Sequence, residues 1–482
     1  MTLATVPRYE STQPDTDGGH AVVVGASIAG LCTARILADA FDEVTVIDRD
    51  PLPDEPVARR SVPQARQIHI LWEAGRTTLE DLFPGYSEDL LAAGGVAIDG
   101  QHDLYTYGQG DFLAAGSKPF PLYAATRPLY EQVLRRHVSR LDAVQLWDRC
   151  QCVDYLVDDA ATAVTGVAIR NEDAGRAELS TDLVVDATGR TSRTPVWLEN
   201  HDYTPPVMDE VHINVAYSTT FIERPTDDAR MIGVLAEAPR TRGGAVLPVE
   251  GDRWLVNLHG VHGDHPPTDT AGFEDFAGSL PTPELKHLLD EHPWVSEEIH
   301  HYPFQSNRRH RYEDLDRFPN GLVVVGDAIA SFNPIYGQGM SVAALEALVL
   351  HHVLATDGRE ALALRFFARV AEVVDTAWMM AIGADFGFPQ TRGPKPRGTA
   401  LFDWYLSRLF RRAHTDGALT DAFTSVLSMQ QPPTVLFRPR ILWRVLGPAR
   451  SGSSLQSRTP SQGDVTDHDE GDEADFAAKR KP

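Results

Sequence analysis

Two glycine turns, each tied to an acid, are the chemistry-bearing features of this sequence. The first turn is Gly25-Ala26-Ser27-Ile28-Ala29-Gly30, and its acid is Asp48, 23 residues after Gly25. Such a turn suits a pyrophosphate. Gly25 lets the chain turn tightly, a small residue at 27 lets the backbone approach the phosphates, and Gly30 lets a helix pack close to its strand. Asp48 is placed to accept hydrogen bonds from a ribose. Ser27 stands where the usual pattern has glycine; its hydroxyl is small and is expected to donate to phosphate. The second turn is Gly326-Asp327-Ala328, followed by Pro334 and Gly337-Gln338-Gly339-Met340. Asp327 suits the hydroxyls of a second sugar-like arm, and the glycine loop brings backbone N–H groups and a helix start to the same ligand.

The elements that must hold these turns are legible around them. Ala21 to Val24 is an apolar, β-branched run that reads as a buried parallel strand. A helix follows with Leu31, Ala34, Leu37 and Ala38 on one face, and a second strand, Val44 to Ile47, ends on Asp48. Leu322 to Val325 is another apolar strand leading into Gly326, with a long helix from Gly339 or Met340. Leu183 to Asp186 reads as a buried strand ending at a turn. From Gln67 an amphipathic helix is expected, with Ile68, Leu71, Trp72, Leu79 and Leu82 inward. Thr126 is a candidate cap for a helix that buries Leu129, Val133 and Leu134. Over 211–260 helical periodicity gives way to segments that read as an antiparallel sheet.

These patterns predict an α/β protein: a Rossmann-like dinucleotide domain of the glutathione-reductase type, an inserted antiparallel-sheet substrate domain and a C-terminal helical region. The expected boundaries are a structureless leader over 1–19, a cofactor domain over 20–90, 121–199 and 305–360, and a substrate domain over 91–120 and 200–304. C-terminal helices are expected over 361–447 and a disordered tail over 448–482, where residues 464–475 hold seven carboxylates.

Composition narrows the function. The chain has 482 residues, room for more than one core. A net charge of −24 argues against nucleic acid, whose phosphates need a basic surface. Cys32, Cys150 and Cys152 are too few for a disulfide framework and fit a reducing cytoplasm. No secretory signal and no 18-residue apolar run is evident, so no transmembrane segment is expected.

Other clusters read as bland. His259, His262 and His265 lie three apart but run into Pro266-Pro267, and are taken as surface-loop histidines; no metal site is expected. His69 is weighed as an active-site group against a hydrogen-bonded structural histidine, and the second is preferred. Arg308 to Arg311 reads as an ion-paired or solvated face. The basic, apolar segment 434–446 is expected to dock on the protein's own core rather than on a membrane. No catalytic side chain is named.

Taken in order, Gly25–Gly30 with Asp48-Arg49, the strand and turn Asp182–Gly189, and Gly326-Asp327 through Pro334 to Gly339 resemble the FAD-dependent monooxygenases of the aromatic hydroxylase and squalene epoxidase class. The segments ASIAGLCTARILAD, RRSVPQARQIHILW, LEDLFPG, AVLPVEGDRWLVNLHG and FNPIYGQGMSVAALEAL are closest in texture to bacterial polyether-type flavin epoxidases. The resemblance implies FAD as cofactor. It places Arg49 at the adenine ribose, Arg60 and the Val62-Pro63-Gln64 loop beside the flavin, and Arg127 near the ribityl and pyrophosphate. Val153 falls near the adenine, and Asp327 and Met340 at the far end. It implies insertion of one oxygen atom from O2 through a flavin C4a-hydroperoxide. The expected reaction is epoxidation of a polyene polyketide or isoprenoid in secondary metabolism such as antibiotic biosynthesis. The alternatives are hydroxylation of an aromatic or polyketide ring and, in a different class, a non-catalytic flavin-binding protein. Absence of a Trp-x-Trp-x-Ile-Pro segment disfavours a flavin halogenase. Asp186-Ala187-Thr188-Gly189 departs from the Asp-Gly motif associated with nicotinamide binding in the hydroxylases. That departure weighs against direct NAD(P)H binding, and electrons are expected from NAD(P)H directly or through a separate flavin reductase. The expected partners are an apolar small-molecule substrate, O2 and, as candidates, that reductase or a carrier protein.

Overall fold

The computed structural model describes residues 1–11, 18–172, 175–448 and 459–460. Most of the tail expected over 448–482, including its carboxylate run, lies outside the described residues, as do residues 12–17 of the leader. Two sheets organise the rest. The first has five strands among the described residues, in the order Leu322–Val324, Leu183–Asp186, His20–Val24, Glu43–Ile47 and Val144–Trp147. Every pairing in it is parallel. Val22, Val23, Val184, Val185 and Val323 are fully buried, as expected of strands covered on both faces. The helices Ile28–Leu37, Gly339–Asp357 and Leu362–Asp385 share that core.

The second sheet carries eight strands among the described residues. Its order is Ala330–Ser331, His300–His310, Met208–Glu223, Arg253–Gly260, Arg242–Val249, Met231–Val234, Leu104–Gly108 and Asp111–Phe112. It is antiparallel except where Met231–Val234 runs parallel to Leu104–Gly108. The expected domain boundary at 304/305 falls inside the strand His300–His310, which pairs along its length with Met208–Glu223. The helices Thr399–Ala413, Gly417–Leu427 and Pro439–Leu446 enclose a core of their own with Leu113.

Several local expectations give way to tertiary contacts. The helix expected from Gln67 begins at Glu73. Upstream of it, Trp72 Nε1 donates to the Tyr336 carbonyl at 2.7 Å and Gln67 Oε1 accepts from the Thr219 hydroxyl at 2.6 Å, which hold that stretch extended. Residues 1–11 dock rather than hang free: Leu3 N–H donates to the Met429 carbonyl at 2.9 Å, and Val6 is 5% exposed. Within the tail, the buried Pro460 offers its carbonyl to Arg230 at 3.0 Å. His259 is no surface residue, since it sits in the strand Arg253–Gly260 and is 4% exposed. One helix window, Gly339–Thr356, is long and apolar enough by composition to cross a membrane, with mean hydropathy 1.4, but 78% of it is buried inside the protein.

Candidate functional site

A cavity of about 650 Å3 opens at the carboxyl ends of the parallel strands, where open α/β sheets take their ligands. Its wall includes Gly25, Ser27, Ile28, Asp48, Arg49, Gln64, Arg127, Val153, Asp327, Pro334, Gly337, Gly339 and Met340. Residues from both glycine turns, far apart in the chain, thus meet at one space. Gly25 adopts φ +115°, and a Cβ there would lie 2.5 Å from the Ala187 carbonyl oxygen. Gly30 is not on the wall. A Cβ on it would lie 1.8 Å from the Gly25 carbonyl oxygen, so its hydrogen is what lets helix and turn touch. The first turn of the helix Ile28–Leu37 borders the cavity, with N–H groups that have no intrahelical acceptor.

Beneath this turn runs a chain of buried charges. Asp48 accepts from Ala26 N–H at 2.8 Å, Asp50 N–H at 2.9 Å and Arg59 Nη1 at 2.7 Å. Arg59 Nη2 donates onward to Glu131 Oε2 at 3.0 Å and to the Ala26 carbonyl at 3.1 Å. Glu131 Oε1 accepts from the Ser27 hydroxyl at 2.7 Å and from Arg127 Nε at 2.9 Å, while Arg127 Nη2 donates to Ser27 Oγ at 2.6 Å. Burial alone would raise the Glu131 carboxyl; Arg127 and Arg59 outweigh it and hold the pKa down at about 2. Burial likewise opposes the Arg59 charge, and Glu131 and Asp48 reverse it, raising that pKa.

Arg60, expected beside the flavin, is exposed and off the cavity wall. Arg59 takes the inward place. Adjacent side chains of an extended segment point to opposite sides, and Asp48 and Glu131 offer two carboxylates to whichever arginine faces in. Glu131 was not singled out from sequence, although its i,i+4 spacing from Arg127 on the helix Arg127–Val138 is a visible signal.

Asp327 projects into the cavity beside the first turn rather than at its far end, since a Cβ on the neighbouring Gly326 would lie 2.8 Å from the Ala29 Cβ, and it accepts no hydrogen bond among the described residues. Surrounding protein raises its pKa, against the pull of Arg127 and Arg190. Below it the buried Glu346 accepts Gly326 N–H at 2.5 Å; burial pushes its carboxyl up to about 8. A Cβ on Gly339 would meet nothing within 4 Å, so the space beside this helix start is open. The loop before it is anchored through Asn333, whose Nδ2 donates to Asp385 Oδ1 at 2.9 Å and whose Oδ1 accepts from the Tyr217 hydroxyl. His69 is also on the wall. Its Nδ1 lies 2.9 Å from the Gln67 carbonyl, so Nδ1 carries the proton and Nε2 is left as an acceptor. Burial, then Arg127, pushes its pKa down to about 4.

The arrangement fits an extended anionic dinucleotide. Two helix starts reach the cavity, the Gly25 turn leaves no room for a side chain, and the free Asp327 carboxylate awaits donors. Among the described residues no cluster of His, Cys, Asp and Glu is arranged to hold a metal.

Comparison with known proteins agrees with that geometry. Residues 20–363 match the family described as FAD binding domain. Protein Rv3254 of Mycobacterium tuberculosis is 34% identical over 431 residues, which cover 85% of this chain and 89% of that protein. The fold is shared with the flavin-dependent brominase Bmp2, at TM-score 0.60 and 16% identity over 85% of this chain and 94% of that one. It is shared too with 2-methyl-3-hydroxypyridine-5-carboxylic acid oxygenase, at TM-score 0.56 and 17% identity over 77% and 91%. A family match that spans both glycine turns and a relative that covers most of the chain lead to one conclusion: this protein belongs to the FAD-binding-domain family.

Proposed function

We propose that the protein is an FAD-dependent monooxygenase that adds one oxygen atom from O2 to an alkene of an apolar polyketide or isoprenoid. The observation that carries the flavin part is the cavity reached by both turns, with the unpartnered Asp327 carboxylate on its wall and no room for a side chain at Gly25. FAD, once bound and reduced, supplies the oxygen-activating chemistry. The chain's own work is to hold it. N–H groups at Ser27 to Ala29 would hold the diphosphate, Asp327 would accept from ribityl hydroxyls, and N–H groups at the Gly339 helix start would hold the flavin end. The apolar Ile68, Phe304, Phe332 and Ala343 on the same wall support an apolar substrate and exclusion of water. The texture match to polyether-type epoxidases supports the alkene. The three free cysteines support a reducing, cytoplasmic setting. Electrons come from NAD(P)H, directly or through a flavin reductase, and a carrier protein is a candidate partner.

A second reading, hydroxylation of a phenol or enol, is favoured by His69, a neutral acceptor on the cavity wall placed to take a hydrogen bond from an acidic hydroxyl. Incubation with reduced FAD, 18O2 and a panel of polyenes and phenols separates the readings by product mass. Labelled epoxide supports the first and labelled catechol the second. Yellow protein that yields neither supports a non-catalytic flavin binder.

A further inference from the structure

We propose that Glu131 is a positioning residue for the cofactor's diphosphate: it holds the Ser27 hydroxyl and fixes Arg59 and Arg127 against the first glycine turn, leaving backbone N–H groups of the turn free to meet the phosphates. The inference rests on the FAD reading of the cavity and adds a role that neither the turn nor the family match assigns.

The middle position of the turn normally needs glycine, because the backbone there approaches the pyrophosphate. Ser27 breaks that pattern, and a hydroxyl left free at this point would project into the space meant for phosphate oxygen. The structure shows where it goes. Ser27 Oγ donates its hydrogen to Glu131 at 2.7 Å and accepts from Arg127 at 2.6 Å. A hydroxyl has one hydrogen to give, and here it is committed to the carboxylate rather than to a ligand. The expectation that Ser27 donates to phosphate therefore does not follow from this geometry.

The arginines are held in the same way. Arg59 is clamped between Asp48 and Glu131, and Arg127 spans Glu131 and Ser27. Asp48, Arg59, Arg127 and Glu131 are all buried, so each charge must be matched within the cluster. Two carboxylates against two guanidiniums make it neutral. Glu131 is the member that touches both arginines and the serine. It comes from the helix Arg127–Val138, 104 residues from Ser27, and is absent from the cavity wall. It acts only through the groups it holds.

The experiment is FAD titration of the apoprotein, read by quenching of flavin fluorescence, with the apoprotein melting temperature measured beside it. The variants are Ser27→Ala, Glu131→Gln, and Ser27→Gly combined with Glu131→Gln. Ser27→Ala should weaken FAD less than about threefold, because the hydroxyl is committed elsewhere; a hydroxyl bonded to a charged phosphate is worth about tenfold or more. Glu131→Gln removes the charge that balances both arginines and turns one acceptor face into a donor, which loosens the hold on the serine, and should weaken FAD at least about tenfold. Adding Ser27→Gly should then regain at least about fivefold by clearing the turn, with no rise in the apoprotein melting temperature. A loss of about tenfold in Ser27→Ala overturns the proposal. So does Glu131→Gln at wild-type affinity, or a double variant no tighter than Glu131→Gln. If the glutamine variant does not fold, Ser27→Ala alone decides. Wild-type protein that binds no FAD would instead remove the FAD reading itself, an outcome separate from all of these.

Discussion

Gly339 offers a perturbation that separates cofactor binding from folding. It sits at the first position of the helix Gly339–Asp357, on the cavity wall, and a Cβ there would meet no protein atom within 4 Å. Its φ lies outside the left-handed region, so alanine adopts this backbone without strain. Replacing such a glycine reduces the freedom of the unfolded chain and stabilises by about 0.4–1 kcal/mol. The apoprotein of Gly339→Ala should therefore melt at the wild-type temperature or slightly above it. In the proposed reading the open space takes the cofactor, and a methyl group there would intrude on a ligand seated against the helix start. Loss of one close backbone contact of about 1.4 kcal/mol corresponds to tenfold in affinity. FAD should bind about tenfold more weakly to Gly339→Ala, and more weakly still to Gly339→Val. Gly30→Ala is the contrasting variant, since its Cβ would lie 1.8 Å from a backbone oxygen and must disturb the fold itself. Differential scanning fluorimetry of the apoproteins and fluorescence titration with FAD measure both quantities. Wild-type FAD affinity in Gly339→Ala, or a drop in its apoprotein melting temperature, would refute the placement of the flavin at this helix start.

The remaining expectations concern charge. Asp327→Ala removes the unpartnered acceptor and should weaken FAD by about 1–3 kcal/mol, or roughly 5- to 150-fold, in the same titration. Arg59→Ala leaves Asp48 and Glu131 without their shared cation and should destabilise by about 3–5 kcal/mol, whereas the exposed Arg60→Ala should stay within about 0.5 kcal/mol. Denaturant midpoints check this, and equal effects at the two positions would return the role to Arg60. Glu346 has its pKa raised from 4.5 to about 8, so the fold favours its neutral form. Its contribution is fully present below pH 4.5 and is lost as pH rises through about 8. Glu346→Gln should flatten that alkaline decline in melting temperature, and an unchanged slope would show that the carboxyl titrates elsewhere. His69→Phe should abolish product from a phenol while sparing product from an alkene. Equal losses would show that the Nε2 acceptor serves the cofactor instead.

Much of the candidate site was written in contiguous residues. A strand, a glycine turn, a helix and a second strand ending on Asp48 occupy positions 20–48, and each depends mainly on its neighbours in the chain. β-branched runs specify buried strands, glycines specify turns with close approach, and the acid follows at the strand end. The same holds for Leu322 to Met340. Chain order therefore sufficed to predict the α/β fold and to collect Gly25, Ser27, Asp48, Asp327 and Gly339 for one cavity. The groups that steer these residues could be chosen only by the folded molecule. Arg59 and Arg60 are identical in type and adjacent, and no local rule tells which faces in; Glu131, 72 positions away from Arg59, decides it through an ion pair that exists only when helix and turn meet. The helix that periodicity started at Gln67 starts at Glu73, because Trp72 and Gln67 find partners at Tyr336 and Thr219. Asn333 and Asp385 are joined over 52 residues to hold the loop before Gly339. Propensity and periodicity act over a few residues, whereas a buried charge or polar group must be matched by whatever the tertiary fold brings within about 3 Å of it. That distance rule decided which side chains hold the site, and it has no counterpart along the chain.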